Sequence, residues 1–324
     1  MASRPVVDEE AFRKSDPVPC LHPRKMMRSR SALNVPEIDI SSISLIKEVE
    51  SGTYATIYKA RDTKTGTIFA VKLVKEKLDN AFKTKKSLFF YEQIHQFVRE
   101  TRYIFCLPKC ENIISFFGVI KGYQMGLVME YCKKGDLCAY MRKFSEPVPY
   151  EKYILFLRNI ISAVSALHGA SPPIIHWDIK SPNVLISNSD VLKLGDFGAS
   201  RCADNGPDLF TATWHYCPPE IIRHYIDKTG SVNVNSPTID IYAFGVLMAE
   251  IVNSCVEGEY VRPFGLGEAR KHSIYELIGH IGKGLVPELS PKTPLHLADL
   301  FSRCTHPDPA SRPSAKMISE ELGK

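Results

Sequence analysis

The chain has 324 residues, of which 44% are hydrophobic and 24% charged, and its net charge is +5. These values are ordinary for a globular protein with a sizeable core, and the mild charge does not argue for nucleic-acid binding, which usually needs a concentrated basic face. The nine cysteines are an odd number in a long chain without a C-x-x-C pair. They favour buried or surface thiols in a reducing compartment, with a metal site as the alternative.

The first 40 residues show no sustained periodicity and carry a basic cluster at Arg24, Lys25, Arg28 and Arg30. We expect a flexible tail at residues 1–40, with a localisation or docking segment as the alternative. Acidic residues near the start, without an apolar segment, argue against a signal or transit peptide. No apolar run approaches the ~20 residues that cross a bilayer. We therefore expect an intracellular protein, cytoplasmic or nuclear, without a membrane span.

Short segments rich in β-branched residues follow at residues 43–50, 55–61 and 67–74, separated by turn signals. They predict an antiparallel meander. Apolar residues at spacings of three and four then predict a helix between Phe90 and Ile104, and two more strands are expected at 113–120 and 124–131.

The second half of the chain is mainly helical in pattern, with strong helical periodicity at residues 150–168. Short strands and loops at 174–220 precede further helical runs that alternate with proline-containing loops. A small β-rich first half and a larger helical second half predict two lobes.

Four short motifs stand in one order along the chain. Lys72 ends a β-branched segment, a loop with Asp178 and Asn183 follows the long helix, Asp-Phe-Gly begins at Asp196, and Pro-Pro-Glu ends at Glu220. Each motif is weak alone. Asn183 follows Asp178 by five positions and Asp196 follows it by 18, and the whole set in this order is very specific.

These motifs resemble the V-A-I-K, H-R-D-x-x-x-x-N, D-F-G and A-P-E elements of eukaryotic protein kinases, over residues 43–320. The resemblance implies an α+β, two-lobe kinase fold at residues 41–322. The β-rich N-lobe would span 41–131 and the helical C-lobe 133–322, with ATP in the cleft. Asp240 resembles the start of the large buried helix of the family, and Arg312 the late arginine that pairs with the A-P-E glutamate, here Glu220.

The resemblance implies a role in phosphoryl transfer for each polar residue of the motifs. Lys72 would hold the α- and β-phosphates of ATP, Asp178 would accept the proton of the substrate hydroxyl or orient it, and Lys180 would contact the γ-phosphate. Asn183 and Asp196 would supply the hard oxygen ligands that suit Mg²⁺. A solvated surface charge could account for any one of these residues, but it does not explain all five at this spacing.

Lys72 needs an acidic partner on the following helix, and Glu92 and Glu100 are the candidates. Glu100 shares the apolar face with Phe97 and Ile104, so we prefer it. The alternative is that Glu100 is a surface glutamate of the helix.

The adenine ring would lie between the lobes. Residues 130–132 resemble the hinge whose backbone would bind adenine, and Met129 would be the gatekeeper. Ala70 and Leu185 would sandwich the ring, although both also suit core positions. The set predicted to contact ATP is Val49, Gly52, Ile57, Ala70, Lys72, Met129, Glu130, Cys132 and Leu185.

The sequence departs from the family pattern in three places. Only Gly52 remains of the glycines of the G-x-G-x-x-G loop, with Glu50 and Ala55 at the other positions, so we expect weakened ATP binding. Pro218 replaces the alanine of A-P-E, which is a tolerable change. Trp177 replaces the arginine that in most kinases pairs with a phosphate on the activation segment, residues 196–220. We expect control without that pairing, with the indole ring packed against the segment.

We therefore expect an ATP- and Mg²⁺-dependent kinase that phosphorylates Ser or Thr of protein substrates and has scope for a regulatory protein partner. Lys180 and Thr213, which lies seven positions before Glu220, favour Ser/Thr over Tyr, and Thr211 is a further activation-segment site. Residues 181–183 and 197–201 resemble the tyrosine-kinase-like group, such as mixed-lineage and Raf-like kinases. Two alternatives remain. The altered loop and Trp177 motivate a pseudokinase that acts as a scaffold or allosteric partner, and a small-molecule kinase is opposed by the full activation segment.

Overall fold

The computed structural model describes residues 36–52, 55–75, 97–98, 100–101, 104, 106–121, 124–202, 213–227 and 234–323. Glu92, Thr211 and residues 1–35 of the predicted tail lie outside these ranges. A five-stranded sheet forms the N-terminal part of the described chain, and helices dominate the C-terminal part. This arrangement confirms the predicted α+β, two-lobe architecture.

The strands of the N-lobe span Ile43–Ser51 (β1), Ala55–Asp62 (β2), Ile68–Val74 (β3), Phe116–Ile120 (β4) and Gly126–Glu130 (β5). They form an antiparallel sheet with the order β1-β2-β3-β5-β4. Because side chains alternate across a strand, β3 directs Val71 and Leu73 into one apolar cluster and Ala70 and Val74 into the main core. Lys72 therefore shares the face of Ala70.

The folded part begins earlier than the predicted start at residue 41. Ile38 donates its N–H to the carbonyl of Val119, and Val119 donates to the carbonyl of Pro36, both at 2.9 Å. A Cβ on Gly118 would lie 2.6 Å from the Pro36 oxygen, so the close approach depends on glycine. Residues 36–38 thus satisfy backbone groups at the sheet edge, which joins them to the sheet ahead of the predicted domain start.

The strand predicted at residues 113–120 begins only at Phe116. The residues before it bond to the C-lobe instead: Ile114 donates to the carbonyl of Leu194 at 3.0 Å, and Leu194 donates to the carbonyl of Asn112 at 2.8 Å. These bonds join the two lobes beside the strand Leu192–Leu194.

The C-lobe contains seven α-helices among the described residues and two short strand pairs. The periodicity at residues 150–168 predicts the helix Tyr150–His168 with the bounds that the structure has. The helices span Leu137–Met141 (α1), Tyr150–His168 (α2), Pro219–Asp227 (α3), Thr238–Glu257 (α4), Ile274–Gly282 (α5), Leu295–Cys304 (α6) and Ala315–Leu322 (α7). The strand pairs are Ile174–Ile175 (β6) with Arg201–Cys202 (β9), and Val184–Ile186 (β7) with Leu192–Leu194 (β8).

Helix α4 forms the centre of the C-lobe, and residues 239–255 are all buried. Within the described ranges it is the one helix whose length and composition would suit a bilayer, but 94% of its most apolar stretch is buried inside the fold. A helix that is buried on all sides is expected to be mainly apolar, and α4 is so apart from a few polar residues that include Asp240 and Glu250. We therefore interpret α4 as a core helix.

Arg312 and Glu220 form a buried ion pair that joins distant parts of the C-lobe. The two guanidinium Nη atoms donate to the two carboxylate oxygens at 2.7 Å and 2.8 Å. The Arg312 side chain is fully buried, and it also donates to the carbonyl oxygens of His306 and Thr238. The pair ties the start of α3 to the segment before α7, as the sequence predicts.

Replacing Arg312 with methionine should lower the free energy of unfolding by about 3–5 kcal/mol, because it leaves the Glu220 carboxylate buried without its partner. Denaturant titration would measure the loss. Lys316→Ala is the matched control, since Lys316 and Glu320 form an exposed pair at 4.0 Å and should matter little. Equal losses in the two variants would contradict the importance of the buried pair.

Candidate active site

Lys72 stands at the centre of a group of charges. From β3 its Nζ donates to both carboxylate oxygens of Glu100, at 2.8 Å and 2.9 Å, and to Oδ1 of Asp196 at 3.0 Å. Glu100 lies in the helical segment after the meander and is only 3% exposed. The structure therefore brings together three predicted residues from three distant segments.

These charges alter one another's protonation. Burial by itself would lower the pKa of Lys72, but the carboxylates of Asp196 and Glu100 raise it above its ordinary value. Lys72 in turn lowers the pKa of Asp196 to about 2. Burial raises the pKa of Glu100, and the positive charge of Lys72 partly offsets this increase. Lys72 and Asp196 thus stay charged at neutral pH, and the site offers a cation for phosphates beside an anion for a metal ion.

The loop after β6 presents Asp178 next to the activation segment. Lys180 Nζ lies 2.7 Å from Asp178 Oδ2 and donates to Thr213 Oγ1 at 2.9 Å. Thr213 donates from Oγ1 to Asp178 Oδ1 at 2.8 Å. Both carboxylate oxygens of Asp178 are therefore oriented, one by a lysine and one by a threonine of the activation segment.

Asn183 lies against the same aspartate. Its amide nitrogen donates to the backbone carbonyl of Asp178 at 2.8 Å and to Oδ2 at 2.9 Å. Since the nitrogen is used in this way, the amide oxygen is the atom suited to a hard cation. The pair Asn183 and Asp196 supplies the type of oxygen donor that Mg²⁺ prefers.

His176 connects the catalytic loop to the Asp-Phe-Gly motif. It is fully buried, its Nε2 pairs with the carbonyl of Gly195 at 2.9 Å, and its Nδ1 accepts the N–H of Asp178 at 3.3 Å. This pattern requires a proton on Nε2 and none on Nδ1. Its ring packs edge-on against Phe197 at a centroid distance of 4.9 Å, and so helps to position Asp196, whose φ is 53°.

Asp240, on the first turn of α4, binds the backbone of the same loop. Its carboxylate accepts the backbone N–H groups of His176 at 2.8 Å and Trp177 at 2.9 Å, and it contacts His168 Nε2 at 2.9 Å. The side chain is fully buried. The loop therefore starts from a fixed anchor in the core helix.

The residues predicted around adenine lie on β1, β2, β3, β5 and β7, in the loop after β1 and in the segment after β5. Ala70 pairs with Met129 across β3 and β5, and both are 8% exposed. Leu185 and Ile57 are half-buried. Burial raises the pKa of the Cys132 thiol to about 12, so it remains protonated at neutral pH.

Two other residues of that predicted set have distinctive positions. The Glu130 carboxylate lies 3.2 Å from Nζ of Lys193, so the Glu130 side chain forms an ion pair with a residue of the C-lobe. Val49 lies at an irregularity of the β1–β2 register and is 50% exposed. Gly52 donates its N–H to the carbonyl of Ala55 at 3.0 Å, which closes the short loop that replaces the glycine-rich one.

Trp177 is held in a conformation that bulky residues rarely adopt, with φ at 68°. The side chain is 8% exposed and belongs to an apolar cluster with Ala199 and Cys217 of the activation segment and Ile221 of α3. Trp177 also lines a small cavity together with Thr213. The arrangement puts an apolar contact where the family pattern has a charged one.

Glu250 is a site residue that the sequence reasoning missed. It is 1% exposed in α4, and its carboxylate accepts hydrogen bonds from Ser181 Oγ and Tyr216 Oη, both at 2.7 Å, and from Tyr260 Oη at 3.0 Å. Burial raises the pKa of Glu250, and the hydrogen bonds from the three hydroxyl groups partly offset this increase. It joins the catalytic loop to the activation segment. An acidic residue within an otherwise apolar helix was the available signal.

The comparisons with known proteins agree with this geometry. Residues 43–322 match the family model described as the protein kinase domain. The chain belongs to the protein kinase family.

Curated relatives carry names of the same kind. A probable serine/threonine-protein kinase of Dictyostelium discoideum is 28% identical over 294 residues, covering 89% of this chain and 15% of the relative. Stress-activated protein kinase alpha of the same organism is 29% identical over 247 residues, 75% of this chain and 37% of the relative. Serine/threonine-protein kinase STY17 of Arabidopsis thaliana is 23% identical over 291 residues, 89% and 45% respectively. The chain spans less than half the length of these relatives.

Replacing Asp240 with alanine should lower the free energy of unfolding by about 2–6 kcal/mol, because two buried backbone N–H groups each lose their acceptor. Asp240→Asn keeps one acceptor oxygen and should lose less. Denaturant titration of both variants tests the order, with Asp299→Ala, an exposed helix position, as the control. An Asp240→Ala protein as stable as the control would refute the anchoring role.

Proposed function

We propose that this protein is an ATP- and Mg²⁺-dependent kinase that transfers the γ-phosphoryl group of ATP to Ser or Thr of protein substrates. The observation that carries the proposal is the convergence of Lys72, Glu100 and Asp196 beside the Asp178–Asn183 loop. We also propose that the protein acts inside the cell and has a regulatory protein partner.

The residues fit a nucleotide with a divalent cation. Lys72, charged at neutral pH, would neutralise phosphate oxygens, and its bond to Glu100 fixes the position of Nζ. Asp196 and Asn183 would hold the cation, which when bound supplies further neutralisation of the phosphates. Ala70, Met129 and Leu185 offer apolar surface for a planar base.

Asp178 is the residue that would receive the substrate hydroxyl. As the bond between the γ-phosphorus and ADP breaks, the hydroxyl oxygen bonds to phosphorus and its proton passes to the carboxylate. Lys180 would balance negative charge next to Asp178, and the contact of Thr213 with the same carboxylate brings the activation segment to the acceptor position. The pairing of Lys180 with Thr213 supports a preference for Ser and Thr, which the names of the relatives also suggest.

The proposal includes membership of the tyrosine-kinase-like subgroup, which is supported only by the motifs at residues 181–183 and 197–201. Weakened ATP binding by the short β1–β2 loop is likewise a prediction, motivated by Glu50 and Ala55 in place of glycines.

We propose further that activity does not require a phosphate on the activation segment. Trp177 carries no charge that could bind one, and its burial with Ala199 and Cys217 supports an apolar attachment of the segment. The hydrogen bonds of Tyr216 and Ser181 to Glu250 support the same attachment by uncharged donors.

Lys72→Met and Asp196→Asn should each reduce phosphoryl transfer to a generic protein substrate by at least about 10²-fold, the usual effect of removing one electrostatic group. A radiolabelled-ATP assay with Mg²⁺ measures the rate. The matched controls are Lys64→Met, an exposed turn lysine, and Asp190→Asn, which removes an exposed carboxylate paired with Lys134. They should keep wild-type rates.

The same preparation separates the kinase from the scaffold. Absence of both phosphoryl transfer and a thermal shift on adding ATP with Mg²⁺ would favour the pseudokinase alternative. Loss of activity in the two control variants would show that the assay reports general damage to the fold.

Phosphatase treatment should leave the kinase rate within about twofold of the untreated rate, and Thr211→Ala should do the same, because Trp177 cannot clamp a phosphate. Trp177→Ala should reduce kcat, whereas Trp177→Phe, which keeps an apolar ring, should restore most of it. If dephosphorylation silences the enzyme and Thr211→Ala reproduces that loss, the account of Trp177 is wrong.

A further inference from the structure

A cavity of about 190 Å³ lies in the C-lobe at the end of the activation segment. Phe264 and Leu277, both buried, supply an apolar floor, and Arg262 and Ile274 are exposed at its mouth. A cavity of about 150 Å³ accommodates a molecule the size of benzene. This one therefore has room for a single side chain of another molecule.

The polar lining of the cavity is basic. His215 comes from the activation segment, Arg262 from the loop after α4, and His272 from the segment before α5. No acidic residue is among the described residues that line it. Burial, with the charge of Arg262 added to it, lowers the pKa of His215, so a further positive charge is disfavoured there until an anion arrives.

Two carboxylates on the neighbouring segments, Glu268 and Glu276, already have donors of their own, and Glu276 also lies close enough to His272 for their charges to interact. Glu276 accepts the backbone N–H and the hydroxyl of Ser273, at 2.8 Å and 2.9 Å, at the start of α5. Glu268 pairs with Lys271 at 2.7 Å. Arg262 uses Nη2 to donate to the backbone carbonyl of Arg270 at 3.2 Å, and its remaining guanidinium donors are available to an external anion.

The cavity lies close to the proposed acceptor position. His215 follows Thr213 by two residues, so their Cα atoms are at most about 7 Å apart. Thr213 in turn contacts the Asp178 carboxylate at 2.8 Å. A peptide whose hydroxyl lies at Asp178 would pass the cavity within a few residues.

We propose that this cavity binds an acidic or phosphorylated side chain of the protein substrate, a few residues from the hydroxyl that accepts the phosphate. The inference rests on the proposed kinase function. Arg262 supplies a planar group with paired N–H donors that match a carboxylate or phosphate, and His215 and His272 add donors from the other walls. The site would select substrates by charge, next to the residues that perform the transfer.

The test is peptide binding to the full chain without ATP, measured by fluorescence anisotropy. In one series of neutral peptides, a single glutamate is placed at successive positions on either side of a central serine. A second series carries phosphoserine at those same positions. We expect one position at which the anion tightens binding by about fivefold to tenfold over glutamine. Stronger binding of phosphoserine there indicates previously phosphorylated substrates, and similar binding indicates acidic ones; both support the site.

The variant Arg262→Gln should abolish the preference for the anion, and His215→Gln should reduce it. Lys283→Gln removes an exposed positive charge of the same lobe that does not line the cavity, and should keep it. Thermal unfolding checks that each variant is folded, and Arg262→Lys, which retains the charge, should keep part of the preference.

A wild-type chain without an anion preference, or a preference that survives both Arg262→Gln and His215→Gln, overturns the proposal. Because binding is measured without ATP, this result is independent of phosphoryl transfer. A chain that binds anionic peptides through Arg262 but transfers no phosphate would refute the kinase function and leave the cavity site standing.

Discussion

The position of the catalytic loop depends on one buried carboxylate. Asp240 accepts the backbone N–H groups of His176 and Trp177 and also contacts His168. A buried anion costs free energy unless donors surround it, and here three N–H groups and the positive end of α4 compensate. Asp178 directly follows the anchored Trp177 along the chain, and Asn183 comes five positions later, so the core helix fixes the start of the loop that carries both.

The end of the activation segment is attached to the same helix by uncharged groups. Tyr216 bonds to Glu250, ten positions after Asp240 on α4, and Cys217 shares the apolar cluster of Trp177. Two acidic residues of one helix thus hold the catalytic loop and the segment that would carry the substrate. This attachment needs no phosphate, which is the physical basis for the mode of control that we propose.

Much of the fold and site could be predicted because the signals are local. Segments rich in β-branched residues, separated by turn signals, predict the first three strands, and the helical periodicity of residues 150–168 predicts the bounds of α2. The spacing of Asp178, Asn183 and Asp196 indicates the site, since the motifs keep fixed distances along the chain. Glu100 could be preferred as the partner of Lys72 from its place on an apolar helical face, because that face must turn inward.

The sequence by itself determined the family resemblance, the order of the elements and the polar residues of the motifs. Only the tertiary structure decided that residues 36–38 pair with the sheet edge, that Glu250 joins the catalytic loop to the activation segment, and that His215, Arg262 and His272 line one cavity. Periodicity shows which face of an element is buried, but it does not show which distant face it meets. Contacts between residues far apart in the chain are therefore decided by packing.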